Sequence, residues 1–312
     1  MRERKHSVGG TGAAPPPLTA RAALPAGAWR DPAAYAGLAL CGPRGLAWEL
    51  LRRDADYALA ARRAAARAGG IWPVVASAGL ATRWGLHALE DPDRSAVDAR
   101  LFWTAAADPT ILSASAIEPL GWFDALGVSL SSIVPAAVGR VRQAVALGGT
   151  AHGIRIDVAD RAEGEARLLG FHLTLARPLA VQLAELARLW SLWNGAPLAD
   201  PVFARDMARS ILLLRAIDAL AEGASLRMVG AGLVSADEWP GDSEWAKSRA
   251  RRIIVAARAL WTGGPAAVLN AMMGAAPGGV SKCHSELATP PIGAGDDYVS
   301  GDVLNRLEQG DV

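Results

Sequence analysis

The stretch SEWAKSRARRIIVAARALW, residues 243–261, decides the reading of this chain. Placed at about 100° per residue, Ala246, Ala250, Ile253, Ile254, Ala257, Leu260 and Trp261 fall on one broad face. Lys247, Ser248, Arg249, Arg251, Arg252 and Arg258 all fall outside it. The spacing predicts a helix with one packed side and a basic remainder. Small residues on the packed side let supporting helices approach closely. Glu244, the acidic residue of this segment, sits near its start, where it complements the helix dipole.

Working upstream, residues 207–221 predict a helix with Ile211, Leu214, Ile217 and Leu220 on one side. Glu222-Gly223-Ala224-Ser225 breaks it. Gly223 suits a left-handed C-terminal position, and Ser225 suits the next N-cap. A short second helix follows over 226–234, weakened by Gly230 and Gly232. A turn holding Trp239-Pro240 leads to Asp242 or Ser243 as the cap of the third helix. Three helices with a tight glycine-containing first turn follow the helix-turn-helix plan.

The rest of the chain divides around this unit. Residues 1–28 are Gly/Pro-rich with no apolar core and are expected to be disordered, with no signal peptide. Residues 29–107 read as a helical domain. Asp31-Pro32 has the form of a helix start, and 45–68 read as one longer helix ended by Gly69-Gly70. Residues 108–199 read as a linker, a small antiparallel β-meander and a helix over 179–193. The strands of the meander are expected over 141–147, 152–158 and 167–175, and Asn194-Gly195 ends the helix. Residues 200–271 form the helix-turn-helix unit, and 272–312 a flexible tail. The expected fold class is α+β, mainly helical. No membrane span is read.

The 312 residues carry a formal net charge of +1, so any basic surface must be local. Arginine offers a planar fork that binds guanine O6 and N7 or clamps a phosphate. On these residues alone, a DNA face, a solvated face and a protein-binding face all satisfy the pattern. Cys41 and Cys283 lie too far apart in sequence to argue a disulfide framework or a zinc site, and a reducing cytoplasm fits them. The five histidines show no metal-ligand spacing, and no nucleophile, phosphate-loop or dinucleotide motif is read. No catalytic residue, metal or cofactor is therefore expected, and the chain reads as no enzyme. Trp48, Trp84, Trp103, Trp190 and Trp193 read as core, while Trp245, on the outward arc, reads either as tucked under the Trp239 turn or as a contact to DNA or a partner. Arg52-Arg53 and Arg62-Arg63 read as a solvated helix face.

A resemblance narrows the alternatives. RAIDALAEGAS (215–225), WPGDSEW (239–245) and SRARRIIVAARAL (248–260) resemble the RovC-type DNA-binding domain of proteobacterial regulators. Pro265, after Gly263-Gly264, stands where that pattern leads one to expect an aromatic. WRDPAAY (29–35), AWELLRRDADY (47–57), Trp84-Gly-Leu86 and Phe102-Trp103 resemble the companion transcriptional-regulator-like domain. The two-domain order is similar to FseA-like activators of integrative and conjugative elements. The resemblance implies a cytoplasmic, nucleoid-associated transcriptional regulator that binds double-stranded DNA with helix 243–261 in the major groove. Lys247, Ser248, Arg251 and Arg252 would supply the contacts, with Arg227 and Arg249 adding phosphate contacts. It also implies a homo-oligomer, with RNA polymerase or a partner regulator as a further contact. The other reading is a protein-interaction module, an anti-activator that binds another regulator without touching DNA.

Overall fold

The structure, a computed structural model, describes residues 24–115, 126, 128–135, 141–148, 153–159, 170–198, 204–234 and 244–273. The N-terminal part opens with two 3-10 helices, Ala28–Arg30 and Pro32–Cys41. Asp31 caps the second as its motif predicts, accepting from the Ala33 N–H. Helices α1 (Gly42–Leu51) and α2 (Ala55–Arg67) then replace the single helix expected over 45–68. The cause is Asp54, whose carboxylate accepts the N–H groups of Asp56 and Tyr57 at 2.8 and 3.0 Å. That N-cap starts a new helix where apolar periodicity alone runs on. Helix α3 (Ala78–Trp84) follows, flanked by the short antiparallel pair β1 (Val74–Val75) and β2 (Ala88–Leu89). Trp48, Tyr57 and Trp84 meet edge to face at 5.6 and 5.5 Å.

The middle of the chain builds a five-stranded sheet from β3 (Leu112–Ser115), β4 (Leu130–Ile133), β5 (Val141–Leu147), β6 (Ile154–Ala159) and β7 (Gly170–His172). Its order is β4-β5-β6-β3-β7. β5 and β6 pair antiparallel, as the expected meander requires. β7 adds to β3 instead of β6, and β3 runs parallel to β6. Leu-Ser-Ala-Ser is too short and too weakly alternating to be read as a strand. Helix α4 (Leu179–Trp193) ends at Asn194 and Gly195, as expected. Leu189 and Leu192 of α4 pack on Val145, Ile154, Ile156 and Val158. The other face of β6 is buried too. Arg155 and Asp157 are 4 % and 6 % exposed, since that side meets the N-terminal part rather than solvent. Arg44 ties the seam together by donating to Asp108, to the Gly153 carbonyl and to Thr110 at 2.6–2.7 Å.

Helices α5 (Ala204–Ala221), α6 (Leu226–Leu233) and α7 (Glu244–Met273) complete the fold, which is α+β and mainly helical. α7 is two helical pieces. Gly264 has φ 68° and ψ −173°, and Pro265 follows it. A side chain at 264 is strained in that conformation, and Pro265 cannot donate into a continuous helix. By length and mean hydropathy the stretch Glu244–Met272 is apolar enough to cross a membrane. The break at Gly264 interrupts it, and Val268 and Leu269 beyond the break are buried in the protein's own core.

That core joins the two ends of the described chain. Leu46, Trp48, Leu50, Leu86 and Ile111 pack in one cluster with Leu214, Ile217, Ile253, Ala257 and Leu269. Each fully buried aliphatic side chain contributes about 1.5–3 kcal/mol. Cys41 belongs to this cluster. Burial, then Glu49 and Asp98, pushes its thiol up to about 11, so it is a protonated packing group. The Trp239-Pro240 turn, the cap at Asp242 or Ser243, Cys283, residues 1–23 and the tail from 274 onward lie outside the described residues.

Candidate nucleic-acid interface

Ser225 begins the local geometry. Its hydroxyl accepts the Met228 N–H at 3.3 Å, and Gly223 before it has φ 78°. The turn between α5 and α6 is therefore the one its residues predict. Val229 on α6 and Ala219 on α5 pack together with Ile254 of α7. α7 presents Ala246, Ala250 and Ala257 to its supports at 0–2 % exposure. Ile253 is buried, while Ile254, Leu260 and Trp261 are half-buried. The alanines permit the close approach that the sequence pattern requires.

Most of the cationic residues stand where the periodicity places them, although Arg258 is half-buried. Ser248, Arg249, Arg251 and Arg252 are exposed on α7, and Arg227 is exposed on α6. Lys247 is half-buried, and its ammonium lies 3.2 Å from Glu244. Arg249 sits over the ring of Trp245, 5.4 Å from its centroid. Trp245 is 51 % exposed, and Arg249 beside it leaves a cationic, aromatic corner at the start of α7. The six predicted residues thus share two adjacent helices, with five of them within about one and a half turns of α7.

Two acidic residues of the unit, Asp218 and Glu222, are held by N-terminal groups. Asp218 of α5 is buried and held by Arg53 from α1's end at 2.6 and 2.8 Å, and by the Tyr35 hydroxyl at 2.6 Å. Glu222 accepts the Gly27 N–H and the Trp29 indole N–H at 3.0–3.1 Å. Arg215 returns the contact by donating to the carbonyls of Trp29 and Arg30. These N-terminal groups draw acid charge away from α7. A near-neutral chain can therefore keep a local basic face.

Several sequence expectations change here. Arg52 and Arg53 are not a solvated face; they are 3 % and 0 % exposed. Both pair with Glu49, and Arg53 reaches Asp218. The i,i+3 and i,i+4 spacing to Glu49 was a readable signal, whereas Asp218, far along the chain, was not. Arg62 is exposed and pairs with Asp93, as a solvated residue does. Trp190 and Trp193 are not core; they are 66 % and 43 % exposed on α4, whose opposite side meets the sheet. Gly232, read as a weakness of α6, has a positive role. A Cβ there would lie 2.5 Å from the Trp29 ring, so only glycine admits this contact.

Comparison with known families bears on this geometry directly. Residues 172–269 match the family model described as "T6SS, Transcription factor, DNA binding domain", the RovC DNA-binding domain. Residues 28–87 match the model described as a proteobacterial transcriptional regulator-like domain. The two matches support a regulator role with DNA as a partner, and they point to a non-enzymatic chain. A regulator-like domain precedes a RovC-type DNA-binding domain, in the order its motifs predict. The second match begins at His172, so α4 falls within it together with α5, α6 and most of α7. A search of curated proteins finds no match.

Proposed function

We propose that the chain is a DNA-binding transcriptional regulator, an activator of mobile-element or secretion-type genes, built on a helix-turn-helix. α5 and α6 support α7, which enters the major groove of double-stranded DNA. Lys247, Ser248, Arg251 and Arg252 contact base edges and adjacent phosphates, and Arg227 and Arg249 contact phosphates. One observation carries this reading. The segment matching a DNA-binding domain is the one where Arg227, Arg249, Arg251 and Arg252 are exposed while Asp218 and Glu222 are held by N-terminal groups. The protein acts as a cytoplasmic homo-oligomer, because paired half-sites multiply affinity. The domain assignment is 29–107 for the regulator-like part, 108–199 for the linker, sheet and α4, and 200–271 for the DNA-binding part.

The experiment is binding of the full chain to its own upstream DNA at two salt concentrations. Retention should weaken steeply as salt rises, because phosphate contacts release counterions. Changing Arg251 and Arg252 together to Ala should abolish retention while the thermal midpoint stays in place. Salt-independent binding, or retention by the double variant, contradicts the reading.

A second reading has its own observation. Leu183, Trp190 and Trp193 leave an apolar, uncharged face on α4. Such a face favours protein contact, with a partner regulator or RNA polymerase. An anti-activator would show no DNA retention at low salt and would capture its partner regulator through Trp190. Trp190→Ser would then lose the capture.

A further inference from the structure

A cavity of about 510 Å³ opens where the regulator-like domain, the sheet and α7 meet. Trp84 and His87 come from the first matched segment, Asp157 from β6, and Trp261 and Pro265 from the second. The Gly264 break of α7 lies on the wall, as does Trp103. The volume falls in the range of roughly 300–1,000 Å³ that small-molecule sites occupy.

The polar groups of this wall are its informative feature. The Nε1 atoms of Trp84 and Trp103 and the Nδ1 of His87 are buried with no hydrogen-bond partner. His87 and Trp103 are 1 % and 2 % exposed. Buried polar groups in a folded protein are almost always paired, so three orphans around one cavity need an explanation. The His87 ring is held on its other side, with Nε2 3.0 Å from the Asp157 carboxylate. That carboxylate accepts, so Nε2 bears the hydrogen of the bond, and Nδ1 is then the acceptor nitrogen of the neutral imidazole. Two N–H donors and one acceptor therefore lie around the cavity, each shut off from solvent, so an occupant reaches them as the lining side chains shift. Much of the remaining lining is apolar, with Leu50, Leu51 and Ala107 among it. Asp54 and Arg83 carry opposite charges there, so no strong field selects an ion.

We propose that this cavity is a binding site for a small, uncharged, largely apolar molecule that carries a carbonyl-type oxygen beside a hydroxyl or amide N–H. The oxygen would satisfy the indole donors and the hydroxyl or amide would satisfy His87. An occupant touches both matched domains at once, and so binds only their assembled arrangement. Its binding therefore raises the stability of that arrangement by mass action.

The test uses the full chain and 4-hydroxybenzamide as probe, with toluene as a control of similar bulk without hydrogen-bonding groups. Saturation-transfer NMR and the thermal midpoint are read together. Saturable transfer to 4-hydroxybenzamide, with a midpoint that rises and levels off, supports the site. Trp84→Phe and Trp103→Phe keep a six-membered aromatic ring and remove the N–H. Each should weaken the probe at least threefold, and the pair at least tenfold, with the midpoint rise read from each variant's own unliganded midpoint. Each single variant provides the comparison if the double variant does not fold. No saturable binding, or equal binding by wild type and both Phe variants, overturns the proposal. Toluene binding as tightly as the amide would also overturn it, because the orphan nitrogens would then select nothing.

Discussion

Two arginine pairs of this molecule make opposite use of the same chemistry. Arg52-Arg53 ends α1 inside the protein, paired with Glu49 and, through Arg53, with Asp218. Arg251-Arg252 stands exposed on α7, with no ion pair among the described residues. Both are adjacent arginines, the first pair in the turn that closes α1 and the second within α7. The difference is the supply of carboxylates. A guanidinium that finds acid on its own helix and across the fold becomes an internal clamp. One that finds none keeps its full hydrogen-bonding capacity for an outside anion.

The sharpest way to break that contrast is to remove Asp218. Asp218→Ala leaves Arg53 buried without its main cross-chain partner and the Tyr35 hydroxyl without its acceptor. Breaking a buried pair from one side costs about 3–5 kcal/mol. Urea unfolding followed by far-UV circular dichroism should record a loss of this size. A loss below 1 kcal/mol would mean that the clamp holds nothing. Acid probes the same cluster. Burial alone raises the Glu49 pKa, but Arg53 and then Arg52 outweigh it and hold it below its ordinary 4.5. A carboxylate lowered in the folded state contributes stability that is complete above its unfolded pKa. That contribution is lost as pH falls through the folded value. Stability should therefore hold from neutrality to about pH 4.5 and fall below it, and Glu49→Gln should flatten the fall.

The exposed pair should behave in the reverse way. Arg251→Ala should cost about 1–3 kcal/mol of DNA-binding free energy if it reads a base, with relaxed sequence preference at one position. If it meets only phosphate, the loss is uniform across sequences and the salt slope shrinks by about one. In both cases the unfolding free energy stays within about 0.5 kcal/mol of wild type. A stability loss matching that of Asp218→Ala would erase the distinction between the two pairs.

How much of this contrast was legible follows from where the partners lie. The packed and basic sides of α7 were readable because helical period is a local property, and Ser225 and Gly223 because caps and turns are local too. Ser248, Arg249, Arg251 and Arg252 lie exposed on the side where periodicity put them, while Lys247 is half-buried. The break at Asp54 was missed because apolar spacing runs through it, although the cap itself is visible in Asp54-Ala-Asp56. The burial of Arg53 depended on Asp218, which no spacing rule connects to α1. Arg155 and Asp157 alternate with the apolar residues of β6, yet a second layer covers them. The exposed Trp190 and Trp193 show the converse, since residue type alone does not say which side of an apolar helix is covered.

Gly232 and Ser225 refine the comparison at smaller scale, because both fix α6 between the clamp and α7. Gly232→Ala places a methyl about 2.5 Å from the Trp29 ring. Overpacking of this kind costs about 1–3 kcal/mol, more than the gain in helix propensity returns. Trp29 also donates to Glu222, so the displaced indole should free that carboxylate next to the basic face. DNA affinity should then fall together with stability, an effect that Arg251→Ala cannot produce on stability. Ser225→Ala removes only the cap on the Met228 N–H, at a cost of about 1 kcal/mol. It leaves Trp29, Glu222 and every α7 arginine in place, so DNA retention at 20 °C should match wild type while the midpoint drops by a few degrees. If retention falls as well, the set of α7 depends on how firmly α6 begins, and the exposed pair is positioned by the turn rather than by the packed face alone.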